Sequence, residues 1–248
     1  MGKSDKASYI TAWQKQAVKL EDAVTDADMS LPVHGCPDWS LADLVHHVAD
    51  VYTFVMQQAG SAEPVAHEPI STDGEPLAVL ARNEHALAQT FHRLQLDDPA
   101  WNPWPAPKTV RSWLTRVQND TAIHAWDAQR AVDRPEPIDT VVAVDGVTEF
   151  LGALLPVSWR SDGHSGGTGV VRFVAEDVGK HWRLRIRGSL VALLDENSGG
   201  EDDTASVSGT ASDLLLALWG RLPYDELQLS GDTQLARHVR NTGLFGLQ

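Results

Sequence analysis

Two short stretches decide the fold and the function, WSLADLVHH at residues 39–47 and NDTAIHAWD at residues 119–127. In the second stretch Asp120 and His124 are four residues apart, so on a helix both side chains leave the same face. His47, from the first stretch, can complete a set of two imidazoles and one carboxylate if its helix lies alongside. Such a set leaves coordination positions open, which is typical of catalytic rather than structural zinc sites.

Each part of this set also has an ordinary structural interpretation. An Asp–His pair at this spacing is common on helix surfaces, where it stabilises the helix slightly. His47 lies on the apolar face of its helix and could be a buried histidine with a hydrogen-bond partner, while His46 is expected to face solvent or lie behind the site. Asp43 is expected to cap its helix. Asp127 either supports His124 or is a surface charge.

Composition excludes several classes of function. The chain has 248 residues, of which 42% are hydrophobic and nine are Trp, so it can bury a packed core. Its formal net charge of −14 argues against sequence-independent nucleic-acid binding and against docking on anionic lipid. The one cysteine, Cys36, excludes an intrachain disulfide and a Cys-based zinc site.

No targeting segment is predicted. The first residues lead into an amphipathic stretch rather than an apolar signal core, and no apolar run is expected to reach the length that spans a bilayer. We therefore expect a soluble cytoplasmic protein without a membrane partner, either a monomer or a homodimer.

Apolar periodicity predicts four helices in the first half of the chain, at about 7–28, 41–59, 76–95 and 110–132. Ser40 stands where the second helix should be capped. Four helices with two long connections predict a bundle. A proline-rich boundary at 133–137 divides the chain into domains 1–135 and 136–248.

The second domain has a different pattern. A helix is predicted at about 140–155, alternating strands at 169–175 and 182–187, a short strand at 205–208 and a helix at 210–222. Strands followed by helices indicate a small α+β domain, so the whole chain is assigned to the α+β class.

Other chemistries have weaker support. Cys36, near His34, is interpreted as an inert thiol because nothing indicates a lowered pKa. The segment at 163–167 is expected to be a flexible loop rather than a nucleophile elbow, and the segment at 199–203 a turn or acidic loop. The sequence contains no glycine-rich phosphate loop of either common type.

Together, the motifs W-S-x-x-D-L-V-x-H at residues 39–47 and D-T-A-I-H-x-W-D at residues 120–127 resemble the mycothiol-dependent maleylpyruvate isomerase family. That family belongs to the DinB-like superfamily of metal-binding helix bundles. The segment VSGTASDLLLALWGR at residues 207–221 is similar to the family's small C-terminal domain. The resemblance implies an N-terminal DinB-like four-helix bundle and a C-terminal α/β domain related in shape to sterol-carrier proteins.

The resemblance also implies roles for individual residues. The family uses a histidine on its second helix and a glutamate and histidine on its fourth as metal ligands, and these match His47, Asp120 and His124. Asp120 departs from the usual glutamate by one methylene. Arg221 matches an arginine that faces the active site and holds an anionic group, and Arg82 is a loose match to a further arginine on the third helix.

The implied function is metal-dependent chemistry on a small electrophilic, anionic substrate, with mycothiol or a related low-molecular-weight thiol as cofactor or cosubstrate. The reaction would be an isomerisation or a thiol transfer, and zinc is the preferred divalent metal. Two alternatives stay open, a hydrolase in which the metal activates water and a non-enzymatic protein that binds a small ligand.

Glu84 is a further candidate because it interrupts the apolar stripe of the third helix. A carboxylate is costly to bury unpaired, so a core-facing Glu84 needs a partner. It either reaches the metal site as a ligand or base, or it is structural, in which case the stripe turns outward there or Glu84 pairs with a nearby cation such as Arg82 or His85. The structural interpretation is favoured.

Overall fold

The protein is described by a computed structural model over residues 6–161, 167–195 and 202–239. It divides into two compact units, Met1–Ile138 and Asp139–Gln248. Most of the two loops expected at 163–167 and 199–203 lies outside the described residues.

The first unit contains four long helices, each within a few residues of its predicted bounds. They are α1 (Lys6–Val24), α2 (Leu41–Ala59), α3 (Pro76–Arg93) and α4 (Val110–Ala131). Helix α1 packs against α4, while α2 packs against both α3 and α4. Helix α4 is therefore flanked on two sides, and its residues 116–128 are buried except for the half-buried Asp120.

Local hydrogen bonds determine where α2 begins. The Ser40 side chain accepts a hydrogen bond from the Asp43 backbone, and the Asp43 carboxylate accepts one from the Ser40 backbone at 2.9 Å. These bonds from Ser40 hold the pKa of Asp43 below its usual range. The predicted capping role of Asp43 is confirmed, and this capping box fixes the first turn of the helix that carries His47.

Aromatic side chains fill the centre of the bundle. The Trp13 ring meets the rings of Tyr52 and Phe91 edge-on, with centroids 5.3 and 5.9 Å away. The Tyr52 hydroxyl and the Thr121 Oγ1 atom are 3.1 Å apart, which ties α2 to α4 in the core. Edge-to-face contacts of this kind add to the stabilisation from burial.

The second unit combines helices with one mixed sheet, as the α+β assignment predicted. The helical part begins with α5 (Thr140–Glu149), a π-helical turn (Phe150–Leu154) and α6 (Leu155–Ser161). Helix α7 (Ala211–Leu218) follows the fourth strand, and α8 (Thr233–Arg237) follows the fifth. The strands are β1 (Thr168–Ala175), β2 (Lys180–Arg187), β3 (Leu190–Leu193), β4 (Ala205–Gly209) and β5 (Gln228–Gly231).

The strands follow the order β3-β2-β1-β4-β5, in which β1 and β4 are parallel and the other pairs antiparallel. Helix α7 packs on α5 where Gly146 meets Leu215. A Cβ atom on Gly146 would lie 2.8 Å from the Leu215 side chain, so only glycine fits there without a shift. The sequence did not predict β3, β5 or α8.

One apolar stretch corrects a sequence expectation. Residues Thr140–Trp159 form a helical run of 20 residues with a mean hydropathy of 1.6, which is long and apolar enough to cross a membrane. The expectation that no run reaches this length was wrong. Because 56% of the stretch is buried inside the unit, its apolar character is typical of a core helix.

Candidate metal centre

Helix α4 brings polar side chains into the centre of the bundle. Its buried faces carry Asn119, Thr121, His124 and Asp127 besides apolar residues. Buried polar groups need hydrogen-bond or ionic partners, because leaving water without compensation costs free energy. The contacts that α4 makes at these positions therefore define the candidate site.

His47, Asp120 and His124 lie together. Each residue offers one donor atom, and the three donor atoms lie within 4.8 Å of one another. The His124 Nε2 atom is 3.9 Å from Asp120 Oδ2, and the two imidazole rings are 5.0 Å apart between centroids. The structure thus brings all three sequence-predicted ligands to one place in the bundle.

The two oxygens of Asp120 have different surroundings. Oδ1 accepts a hydrogen bond of 2.8 Å from the buried guanidinium of Arg116, one turn earlier on α4. Oδ2 is buried and makes no hydrogen bond within the part of the chain that the structure describes. Burial alone would raise the pKa of Asp120, but the charges of Arg116, His124 and His47 lower it. Asp120 is therefore an ionised carboxylate with one oxygen directed at the two histidines.

The His124 ring is held by Asp127 at the nitrogen that does not face Asp120. Its Nδ1 atom is 3.1 Å from Asp127 Oδ2, and since a carboxylate can only accept, Nδ1 carries the proton and donates it. This bond leaves the Nε2 atom on the side of Asp120. Burial lowers the pKa of His124, but the hydrogen bonds to Asp127 and Cys36 and the charges of both aspartates outweigh it and raise the pKa to about 9.

The loop before α2 places an aromatic ring against both imidazoles. Backbone hydrogen bonds from Val33 to Trp39 and from Trp39 to Cys36 fold residues 33–39 into a tight turn. The Trp39 ring lies 4.7 Å from the His47 ring and 6.5 Å from the His124 ring. One wall of the candidate site is therefore apolar, which restricts how the histidines can turn.

These residues fit a divalent cation. Two imidazole nitrogens and a carboxylate oxygen are ordinary zinc ligands, and around a tetrahedral zinc they would lie about 3.4 Å apart. The separation of 3.9 Å between Asp120 Oδ2 and His124 Nε2 needs only a small closure. The Asp120 Oδ2 atom without a hydrogen bond is the observation that fits best, since a cation would satisfy it.

Glu84 lies elsewhere and, in the described residues, does not cluster with two or more other metal-type donors. It is half-buried on α3 beside Glu21 of α1. Burial, the Glu21 charge and a hydrogen bond with Glu21 raise the pKa of Glu84 to about 7. Arg82 is exposed, and the charged neighbour that raises the pKa of Glu84, after burial, is an acid rather than a cation such as Arg82 or His85.

Arg221 lies in the second unit, immediately after the glycine that ends α7. Gly220 has a φ of 73°, and the Arg221 backbone donates a hydrogen bond to the Leu216 carbonyl, which closes the helix. The half-buried Arg221 side chain donates to the Trp219 carbonyl at 3.0 Å. Its predicted role at the substrate stays a prediction.

The sequence left the role of Asp127 open between support for His124 and a surface charge, and it did not single out Arg116. Arg116 precedes Asp120 by one helical turn, and Asp127 follows His124 by three residues, so spacing alone contained a hint for both. In the structure both residues are buried and make these contacts, with the Asp127 side chain 0% exposed and that of Arg116 only 9%. Cys36, interpreted as inert, has its Sγ atom 3.8 Å from Asp127 Oδ2.

Comparisons with known proteins agree with this architecture. The family model "Mycothiol maleylpyruvate isomerase N-terminal domain" matches residues 11–129, and the model "MDMPI C-terminal domain" matches residues 141–238. No curated protein matches the chain in sequence.

Two solved structures share the fold. A crystal structure of the mycothiol-dependent maleylpyruvate isomerase has a TM-score of 0.57 at 16% identity, with 92% of this chain and 93% of that chain covered. A histidine-to-alanine mutant of that enzyme gives a TM-score of 0.58 over the same shares at the same identity. Since the two family models together cover most of the chain, the chain belongs to the mycothiol-dependent maleylpyruvate isomerase family.

Proposed function

We propose that the protein is a metal- and thiol-dependent enzyme of the cytoplasm that isomerises a small anionic electrophile. The observation that carries the proposal is the cluster of His47, Asp120 and His124, in which Asp120 Oδ2 is buried without a hydrogen bond. Membership of a family named for a mycothiol-dependent isomerase supports the thiol and the reaction type. Thiol transfer is the variant of the same chemistry in which the thiol stays on the product.

A divalent cation, with zinc preferred, would stabilise the thiolate form of a bound thiol over the thiol and so supply the nucleophile at neutral pH. Residues around the three ligands would keep the site ready for such a cation. Arg116 keeps Asp120 ionised, Asp127 fixes the proton of His124 on Nδ1, and the Trp39 ring excludes water from one side. We assign Arg221 the role of binding a carboxylate of the substrate with its planar guanidinium.

Metal analysis of matched histidine variants tests the proposal. His47→Ala should purify without stoichiometric zinc, while His46→Ala, which removes the neighbouring half-buried imidazole of the same helix, should retain it. The wild type should then turn over maleylpyruvate only when mycothiol is present, and removal of zinc by a chelator should abolish that turnover. Equal zinc contents in the two variants would refute the metal site.

The substrate assay separates the remaining functions. Turnover without any thiol would indicate that water is the working nucleophile and would favour the hydrolase. Zinc binding without turnover of any electrophile would favour a non-enzymatic binding protein. Arg221→Lys retains the charge but loses the bidentate geometry, so we expect a higher KM for the anionic substrate and an unchanged zinc content.

A further inference from the structure

The imidazole of His124 is shared between two sets of donors. Its Nε2 atom lies 3.9 Å from Asp120 Oδ2, in the set that includes His47, whereas its Nδ1 atom lies 3.1 Å from Asp127 Oδ2, in the set that includes Cys36. In the second set the donor atoms also lie within 4.8 Å of one another, and all three residues are buried. The proposed function uses the first set as ligands and the second only as support.

The spacing of the second set is close to that of a metal site. His124 Nδ1 is 3.1 Å from Asp127 Oδ2, and Cys36 Sγ is 3.8 Å from the same oxygen. Around a tetrahedral ion with zinc-like bond lengths, such atoms would lie about 3.4 to 3.5 Å apart. Displacements of a few tenths of an ångström would therefore bring both of these pairs to coordination spacing, and the third pair of donor atoms lies within 4.8 Å.

The donor types indicate which ions would bind. A cysteine thiolate is a soft ligand that selects polarisable ions, in contrast to the all-nitrogen and oxygen set on the other side of the ring. The second set also lies deeper, with Cys36 and Asp127 each only 1% exposed. We propose that Cys36, His124 and Asp127 form a second metal-binding set that prefers thiophilic divalent cations such as Cd²⁺.

Binding there changes the protons of the site in a defined way. The Cys36 thiol loses its proton, and the ion takes the place of the proton on His124 Nδ1. A neutral imidazole has one proton and one free lone pair, so the remaining proton sits on Nε2. His124 then has no lone pair for the first set. The two sets exclude each other, and a thiophilic ion would inhibit the enzyme by removing a ligand from its metal.

Without such an ion the same three side chains form hydrogen bonds, with Asp127 accepting from both neighbours. That arrangement orients His124 for the first set. The same cluster would therefore support the metal centre when no soft ion is bound and disable it when one is. The binding of a soft ion stands independently of the proposed function, whereas the exclusion of the first metal rests on it.

A cadmium titration tests the second set. Cys36 is the only cysteine of the chain, so thiolate-to-cadmium charge-transfer absorption in the ultraviolet reports that residue alone. We expect the band to saturate at about one equivalent in the wild type and in Asp120→Asn, which removes a ligand from the first set and none from the second. Cys36→Ser should show no band, and Asp127→Asn, which keeps the thiol, should need at least about tenfold more cadmium.

Zinc release tests the exclusion. Zinc-loaded wild type should lose its zinc in parallel with growth of the cadmium band, and Cys36→Ser should retain its zinc at the same cadmium concentration. Absence of the band in a folded wild type would overturn the second set, and equal zinc loss from Cys36→Ser would overturn the exclusion. A failure of the proposed function is recognised separately, because the wild type would then hold no zinc at the start.

Discussion

Asp120 and Glu84 are carboxylates of the same bundle, both partly buried and both candidates from the sequence, yet their surroundings are opposite. Asp120 lies 2.8 Å from the Arg116 guanidinium and between two histidines, and these cations lower its pKa. Glu84 lies beside Glu21, and burial together with this second acid raises its pKa to about 7.

The comparison shows that burial alone does not determine what a carboxylate can do. Loss of water raises the pKa of both groups, so the sign of the nearest charge decides the outcome. A carboxylate beside cations stays ionised and suits a metal, whereas one beside another acid tends to keep a proton.

Removal of the cation beside Asp120 should have the largest effect. Arg116→Met would leave a buried carboxylate without its partner, which typically costs about 3–5 kcal/mol. For a chain of this size we expect Tm of the metal-free protein to fall by on the order of 10 °C. The matched control is Arg111→Met on the same helix, whose partner Asp97 is 83% exposed and whose ion pair is worth less than about 1 kcal/mol. Equal losses would contradict the role given to Arg116.

Next in size is the difference between the two carboxylates in metal binding. Asp120→Asn should weaken zinc binding by at least about 100-fold, because supporting residues alone are worth 10- to 100-fold. Glu84→Gln should leave zinc affinity unchanged. Competition with a chromophoric chelator gives both affinities, and a loss in Glu84→Gln as large as that in Asp120→Asn would assign Glu84 to the metal.

Asp127 is a third buried carboxylate, and it supports His124 without being one of the three proposed zinc ligands. Asp127→Asn removes the strong acceptor for the His124 Nδ1 proton, and we expect zinc affinity to fall by about 10- to 100-fold. Asp133→Asn, at a position just after the same helix where the carboxylate is 90% exposed, is the control and should change nothing. Cobalt substitution provides a second measurement, since the visible spectrum of cobalt responds to ligand geometry.

The smallest effect concerns the pH dependence of stability at Glu84. Its folded pKa of about 7 lies above the ordinary value of 4.5, so the folded protein binds the proton more tightly than the unfolded chain. The resulting stabilisation is complete below about pH 4.5 and is lost as the pH rises through about 7. Glu84→Gln should therefore match the wild type at low pH and exceed its Tm by a few degrees at pH 8, less than the full pKa shift implies because the group is half exposed.

Thermal melts of wild type, Glu84→Gln and Glu21→Gln across pH 4 to 8 would check this prediction. Both variants remove one charge of the pair and should shift in the same direction, whereas Glu68→Gln in an exposed loop should not shift. A wild-type-like pH profile in Glu84→Gln would show that the pair does not repel in solution.

The sequence predicted the four bundle helices and the pairing of Asp120 with His124 because both depend on local spacing. The capping box at Ser40 and the pair Asp120–His124 each lie within one helical turn, where periodicity specifies direction. The family resemblance then joined His47 to the pair, which spacing alone could not do.

Other features depend on which helices face each other, and the sequence could not supply them. The Glu21–Glu84 contact joins α1 to α3, and the Cys36–Asp127 contact joins a loop to α4. The short strand β5 exists through its pairing with β4, where Gly231 passes Thr204 too closely for any side chain. The apolar run from 140 to 159 was missed because its polar and small residues interrupt it in the sequence.

The position of α4 between its neighbours has a consequence for amide hydrogen exchange. Because α1 and α2 cover residues 116–128 from two sides, these amides reach water only when the bundle itself opens. Their exchange rates therefore measure the global unfolding free energy of the first unit. A cation that binds only the folded bundle would slow all of them by a common factor, whereas a ligand that merely ordered the Trp39 loop would slow exchange there and leave α4 unchanged.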